Sequence, residues 1–154
     1  MERNDFVKVY NERVKAMGAL DRAECLGTIK VDGDAAIMNT RTPGVNLLYF
    51  AKEAAQGVIV SGRMDGGRAT DALLVYAACI DVLMGVTEKK RNEYLEKLHL
   101  FDGRLGPKGS NLTVRGYLLE VRPGHPTQSM ISYTVANLSE PMPAELLVPE
   151  YRGL

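Results

Sequence analysis

The fold is decided by residues 57–85, GVIVSGRMDGGRATDALLVYAACIDVLMG. The stretch begins with a short apolar run, continues through a turn rich in glycine and arginine, and ends in the longest apolar segment of the chain. A short apolar run next to glycine is typical of a buried strand, and a long segment without a polar side is typical of a central helix. We therefore predict a strand over 58–61 and a helix over 71–86, although residues 73–76 and 79–83 could also form strands.

The charge and composition of the whole chain restrict the class of protein. The 154 residues carry 19 basic and 19 acidic side chains, so the formal net charge is zero. Such a chain has no overall field that would draw it to duplex nucleic acid or to an anionic membrane. The longest apolar segment is too short to span a bilayer, and we expect a cytoplasmic location. The zero net charge also favours self-association, so we expect a homo-oligomer.

Before the deciding stretch, the sequence predicts two helices and a hairpin. Apolar residues at spacings of three and four predict an amphipathic helix over 5–17. Residues 25–31 and 35–39 flank Asp32-Gly33, a pair favoured in two-residue hairpin turns. Residues 47–56 contain good helix formers and end at Gly57, which favours a helix, although VNLLYF alone has the composition of a strand.

After the deciding stretch, Thr87 can cap a helix over 88–98. A glycine-rich loop over 101–111 follows, and then a second hairpin formed by 112–122 and 128–138 around a Pro-Gly turn. The expected fold class is α+β: a mostly antiparallel sheet of about five strands (two hairpins plus one short strand), packed with three to four helices. We expect a single domain over 1–140 and an extended arm over 141–154, whose apolar centre needs a surface to lie on.

The turn after the predicted strand is the best candidate for a ligand site. Glycines allow backbone N–H groups to approach an anion, and a following helix N-terminus and guanidinium groups stabilise it. The candidate ligand-binding residues are Arg63, Gly66, Gly67 and Arg68, joined by Arg104 and Lys108 if the two glycine-rich loops meet. The spacing matches no nucleotide-binding motif, and an ordinary tight turn in which Asp65 caps backbone groups explains the same residues.

Three residues are weak candidates for catalysis. Asp81 is a carboxylate inside an otherwise apolar helix, which indicates either a functional group with a shifted pKa or an ion pair across a packing contact. Asp65 lies in the glycine-rich turn, and His125 lies in the turn of the second hairpin, where an exposed histidine without a catalytic role is also common. Cys25 and Cys79 lie in apolar surroundings and form no metal-binding motif, so we expect reduced, buried thiols rather than a disulfide and no metal site.

These observations leave three hypotheses. The first is a small-molecule-binding homo-oligomer whose ligand is anionic, bearing a phosphate or a carboxylate, and is bound at the strand-to-helix turn. The second is an enzyme for a small substrate that uses Asp81 or Asp65 as acid or base. The third is an assembly or interaction protein that buries the apolar helix and the C-terminal arm. The sequence leaves the identity of any cofactor unknown.

Overall fold

The computed structural model describes residues 1–52, 55–63, 68–124 and 130–138. Within these ranges the elements, in chain order, are α1 (Arg3–Ala16), α2 (Leu20–Ala23), β1 (Cys25–Asp32), β2 (Ala35–Thr40), β3 (Asn46–Lys52), β4 (Ala55–Arg63), α3 (Arg68–Met84), α4 (Glu88–Lys97), β5 (Ser110–Val114), β6 (Tyr117–Pro123) and β7 (Met130–Leu138).

The described strands form one sheet in the order β1-β2-β3-β4-β7-β6-β5. Every neighbouring pair is antiparallel. The first four strands follow one another as a meander, the two longer helices come next, and the last three strands return as a second meander that joins the first through β4 and β7. The predicted combination of helices with an antiparallel sheet is confirmed, but the predicted number of about five strands is wrong, since the described residues form seven.

The first missing strand lies in the segment predicted as a helix over 47–56, which instead forms β3 and the start of β4. Leu47 and Tyr49 are buried in the core, whereas Leu48 and Phe50 point to the other face and are half-buried. This period of two is the pattern of a strand. Hydrogen bonding to β2 on one side and β4 on the other overrides the intrinsic helix preference of the segment.

The second missing strand comes from a turn inside the predicted strand over 112–122. Arg115 and Gly116 have φ values of 53° and 82°, and they connect Val114 to its partner Tyr117. Two consecutive positive φ values are required by a type I′ hairpin turn, and glycine adopts the second without strain. The segment is therefore a hairpin, β5–β6, rather than one strand.

The first hairpin is present, with its turn displaced by one residue from the prediction. Asp32 pairs with Ala35, so the turn residues are Gly33 and Asp34. Strand β1 has two register shifts, at 25–27 and 28–30. Such bulges change which face a side chain points to, and Ile29, which lies within the second of them, is 61% exposed.

The helix predicted over 71–86 is confirmed as α3, and the helix predicted over 88–98 as α4. The Thr87 hydroxyl caps α4 by accepting a hydrogen bond from the Lys90 N–H at 3.2 Å. Residues 72 and 75–80 of α3 are all buried, so this apolar helix is the centre of the fold. Among the described residues, no single helix is long and apolar enough to cross a membrane; α3 and α4 reach that length only together, across a bend of 119°.

The helices pack on one side of the sheet and give it a covered face and an open face. The covered face contacts the helices in one hydrophobic core and carries Leu47, Tyr49, Val58, Val60, Leu119, Val121, Tyr133 and Val135. The open face consists of the alternate residues of the same strands. Its described apolar residues include several that are not part of that core: Ile37, Leu48, Phe50, Ile59, Leu118, Met130 and Ala136.

Candidate functional site

The predicted ligand site lies where β4 leads into α3. Arg63 is the last residue of β4 and is exposed, and Arg68 is the first residue of α3. Asp65, Gly66 and Gly67 lie outside the described residues, as does the side chain of Arg68. The described residues confirm a strand before this segment and a helix after it, with one arginine at the end of the strand and one at the start of the helix.

Close packing fixes the position of this junction. A Cβ placed on Gly62 would lie 2.9 Å from the Ala72 Cβ, a distance that real Cβ atoms essentially never show. The glycine therefore allows α3 to approach the end of β4 directly. The start of the helix is held near the strand whose last side chain is Arg63.

The N-terminal end of α3 already faces a carboxylate of its own. Asp71 lies in the first turn, accepts a hydrogen bond from the Thr42 hydroxyl at 2.9 Å, and lies 3.8 Å from an Arg22 guanidinium nitrogen. A carboxylate at this position interacts favourably with the helix dipole. An additional anion at the junction would consequently depend mainly on guanidinium groups rather than on the helix end.

The second predicted loop lies at the same end of the sheet. Arg104 and Lys108 are exposed in the connection between α4 and β5. That connection is fixed by Ser110, whose hydroxyl donates to the Leu98 carbonyl at 2.6 Å. Strands β4 and β5 are three positions apart in the sheet, which corresponds to about 14 Å. Arg63 and the pair Arg104 and Lys108 thus lie at one end of the sheet, as two separate groups of cations.

Arg122 is a basic residue near Arg63 that the sequence analysis did not select. It is exposed on β6 and pairs with Ser132, which in turn pairs with Ser61 on β4. These three side chains and Arg63 are on the open face, because they alternate with residues of the covered face. Arg63 and Arg122 are two strands apart, about 10 Å. The sequence signal for the face of Arg122 is its alternation with Leu119 and Val121. That signal can be used only if the start of β6 is known.

Asp81 lies in the helix layer, where two arginines bind it. Arg91 of α4 donates from Nε to Oδ1 at 3.0 Å and from Nη2 to Oδ2 at 3.2 Å. Arg13 of α1 donates from Nε to Oδ2 at 2.8 Å, and its Nη2 lies 2.8 Å from the same oxygen. The Asp81 side chain is only 3% exposed. These charge-assisted hydrogen bonds connect α1, α3 and α4, and they favour the ion-pair interpretation of this residue.

Of the two histidines, the described one, His99, contacts Asp102. His125 is outside the described residues. His99 Nδ1 lies 2.9 Å from Asp102 Oδ2, and both side chains are exposed. The hydrogen bond from His99, together with that from the Arg104 N–H at 3.0 Å, lowers the pKa of the Asp102 carboxyl. The pair is a local arrangement that starts the connection to β5.

Both thiols are free and buried, as predicted. Burial raises the pKa of Cys79 well above its ordinary value, and it also raises the pKa of Cys25. Neither thiol is therefore prepared to act as a nucleophile near neutral pH. In the part of the chain that the structure describes, no group of three or more His, Cys, Asp or Glu side chains could hold a metal ion.

A surface cavity of about 310 Å³ lies at the other end of the sheet, and none of the predicted site residues that the structure describes lines it. Its walls include the first three residues of the chain, the Gly33-Asp34 turn and Tyr49. The Tyr49 hydroxyl is engaged there, because it accepts from Gln56 Nε2 at 2.9 Å and donates to the Met1 carbonyl.

The chain matches no protein family model, no curated protein and no solved structure. Any function must consequently be argued from the chemistry of the chain's own residues.

Proposed function

We propose that the protein binds a small anionic ligand, bearing a phosphate or a carboxylate, at the end of β4. The observation that supports this proposal is the pair of exposed arginines, Arg63 and Arg122, on one face and at one end of the sheet, next to the start of α3 at Arg68. Arg63 and Arg122 place two positive charges at one end of the open face, and Glu120 is the preceding open-face residue of β6.

The spacing of the arginines suits a ligand between them. Two strand separations place their Cα atoms about 10 Å apart across the strands, and each guanidinium is carried on a long, flexible stem. Ser61 and Ser132 lie on the strands between or beside them, half-buried, and a hydroxyl can donate to an anionic oxygen. One guanidinium group can donate two parallel hydrogen bonds to two oxygens of a carboxylate or phosphate, and this bidentate contact supplies both affinity and orientation.

Arg104 and Lys108 enter this proposal as an outer group. They lie at the same end of the sheet, so they add to the positive potential that attracts an anion. They lie on a connection to β5, about 14 Å from β4. The proposal therefore does not require them to contact a phosphate bound at Arg63.

Calorimetric titration with a panel of nucleotides, phosphorylated metabolites and small carboxylates tests the proposal. We expect the Arg63→Ala/Arg68→Ala double variant to lose about tenfold or more in affinity, because each charge-assisted hydrogen bond contributes roughly 1.5–3 kcal/mol. Arg122→Ala should lose less. The control, Lys8→Ala/Lys89→Ala, removes the same charge from exposed helix positions. Equal binding by the double arginine variant and this control would overturn the assignment.

A second candidate, self-assembly, is favoured by the exposed edge of the sheet. On strand β1, Leu26, Ile29 and Val31 are 46%, 61% and 54% exposed. An edge strand with exposed apolar side chains is prone to associate with another chain. Sedimentation velocity should show an oligomer that Ile29→Thr/Val31→Thr weakens; a monomer at all concentrations would contradict this candidate.

A further inference from the structure

A row of polar side chains crosses the open face at its arginine-bearing end. The register places side by side Asn39 of β2, Asn46 of β3, Ser61 of β4, Ser132 of β7 and Arg122 of β6. These residues alternate along their strands with residues of the covered face, so their side chains lie on the open face. The four uncharged members are half-buried, and Arg122 is exposed. The proposed anion site thus continues onto two further strands as a line of hydroxyls and amides.

The two asparagines of this row are not explained by the stability of the sheet. Asparagine is disfavoured in strands, yet Asn39 and Asn46 are direct partners on adjoining strands. Within the described part of the chain, neither side-chain amide forms a hydrogen bond with another residue. The amide of Asn11, by contrast, accepts from the Cys25 N–H at 2.8 Å and donates to the Cys25 carbonyl at 3.2 Å. Asn39 and Asn46 therefore keep their donors and acceptors available to water or to a ligand.

An apolar strip borders the two amides. Two residues along each strand from the polar row, Ile37, Leu48 and Ile59 lie side by side on β2, β3 and β4. Ile37 is exposed, and the other two are half-buried. Small-molecule sites combine apolar surface with a few polar groups that fix the orientation of the ligand. This part of the open face has both, with hydrogen-bonding groups in one row and apolar carbons in the next.

We infer that the anionic ligand is a sugar phosphate, whose phosphate lies between Arg63 and Arg122 and whose sugar lies over Asn46 and Leu48. The inference rests on the proposed function, because the phosphate places the sugar. A sugar ring carries hydroxyls around its edge and C–H groups on its faces, which suits a row of amides beside an apolar strip. An amide has both donors and an acceptor, so it can pair with a hydroxyl in either direction. A bare phosphate would use the arginines and leave the amides without a role.

The spacing suits a ligand of this size. Asn46 pairs with Ser61, and Arg63 is two residues further along β4, so the Cα atoms of Asn46 and Arg63 are diagonal neighbours about 7–8 Å apart. A sugar ring attached to a phosphate at Arg63 is therefore within reach of Asn46. Asn39 is one strand further, about 5 Å beyond Asn46, at the far side of the ring. The predicted arm over 141–154 lies outside the described residues, and the proposed site does not include it.

Glu120 also favours a ligand with hydroxyls over a bare anion. It is the open-face residue of β6 that precedes Arg122, it pairs with Thr134, and it is half-buried. A carboxylate repels a second anion, whereas it accepts hydrogen bonds from hydroxyl groups. Glu120 therefore confines the negative charge of the ligand to the arginine-bearing end and suits hydroxyls elsewhere on the face.

Calorimetric titration tests the inference with four probes: the primary phosphate esters of glucose and ribose, butyl phosphate, and inorganic phosphate. We expect at least one sugar phosphate to bind about tenfold more tightly than butyl phosphate, which carries the same charge on a chain without hydroxyls, because two ordinary hydrogen bonds give a difference of about this size. The variant Asn39→Ala/Asn46→Ala should bind the sugar phosphate and butyl phosphate equally.

Two further variants complete the experiment. The matched control Asn4→Ala/Asn137→Ala removes two exposed amides outside the row and should keep the preference for the sugar phosphate. Asn46→Ser retains a small polar side chain and should lose about threefold of the preference, and urea unfolding shows that each variant is folded. If none of the four probes binds, the proposed function and this inference both fail. If butyl phosphate binds as tightly as both sugar phosphates, or if Asn39→Ala/Asn46→Ala keeps the preference, the inference alone is overturned.

Discussion

The covered and open faces belong to the same strands and differ in what packs on them. In β3, Leu47 is fully buried under the helices, and the next residue, Leu48, is half-buried on the other side. The covered face is completed by described elements, including aromatic stacking of Tyr76 on Tyr133 with ring centroids 5.0 Å apart. The open face has an apolar half and an arginine-bearing end. The contrast indicates that the core lies mainly on the covered face, whereas the arginine-bearing end of the open face carries the proposed ligand site.

The largest effect should come from Asp81, in the helix layer over the covered face. Asp81→Asn leaves the guanidinium of Arg91, which is 9% exposed, without its ionic partner. Removing one member of a buried ion pair costs about 3–5 kcal/mol, and we expect a loss of this size in the free energy of unfolding by urea. The control Asp71→Asn affects a more exposed carboxylate on the same helix and should cost much less. Equal losses would show that Asp81 is not a structural centre.

The next prediction compares the two faces directly. Leu47→Ala removes a fully buried side chain and should destabilise the fold by about 3 kcal/mol. Leu48→Ala removes the same atoms from the open face and should cost about 1 kcal/mol, in proportion to the smaller area taken from water. Urea unfolding of both variants measures the difference. A larger loss for Leu48 would reverse the assignment of the faces.

A smaller effect is expected where α3 touches the sheet backbone. The Tyr76 hydroxyl donates to the Thr134 carbonyl at 2.7 Å, so Tyr76→Phe should lower the free energy of unfolding by about 1 kcal/mol. Tyr133→Phe retains this hydrogen bond and the stacked rings, and serves as the control. The prediction fails if the two variants are equally stable.

The smallest effect should come from the exposed Asp102, outside both layers. Its pKa is lowered from the ordinary value of 3.8, so the folded state binds this proton less readily than the unfolded state. The stabilisation is therefore present above pH 3.8 and is lost as the pH falls through the folded-state pKa. Comparing the pH dependence of unfolding for the natural chain and Asp102→Asn should show a slightly shallower acid loss in the variant; identical profiles would contradict this.

The sequence predicted those parts of the fold whose signals are local. The uninterrupted apolar character of α3 and the Thr87 cap of α4 act within a few residues, and both were found at the expected positions. Strand β3 was missed because its identity depends on pairing with β2 and β4, which single-sequence propensity does not contain. The Arg115-Gly116 turn was missed because a non-glycine residue adopts a positive φ there.

In the candidate site, too, the residues with local signals were predicted and those that depend on strand pairing were missed. Arg63 and Arg68 follow from the order of strand, turn and helix, which is local. Arg122 lies next to them only because β7 pairs with both β4 and β6, a long-range arrangement. An ion pair was one of the two interpretations of Asp81 from the sequence. Its partners, Arg13 and Arg91, could not be identified because they come from two other helices.

The pairing of β4 with β7 also has a kinetic consequence. Each meander can form from strands that are close in sequence, whereas this one seam joins Val58 to Val135. Bringing such distant residues together costs loop-closure entropy that local hairpins avoid, and contacts of this kind slow folding. We expect the two meanders to form first and their closure along the seam to limit the folding rate. Substitutions at Gly57 or Val135 would then slow folding, whereas those in the outer hairpins would mainly speed unfolding.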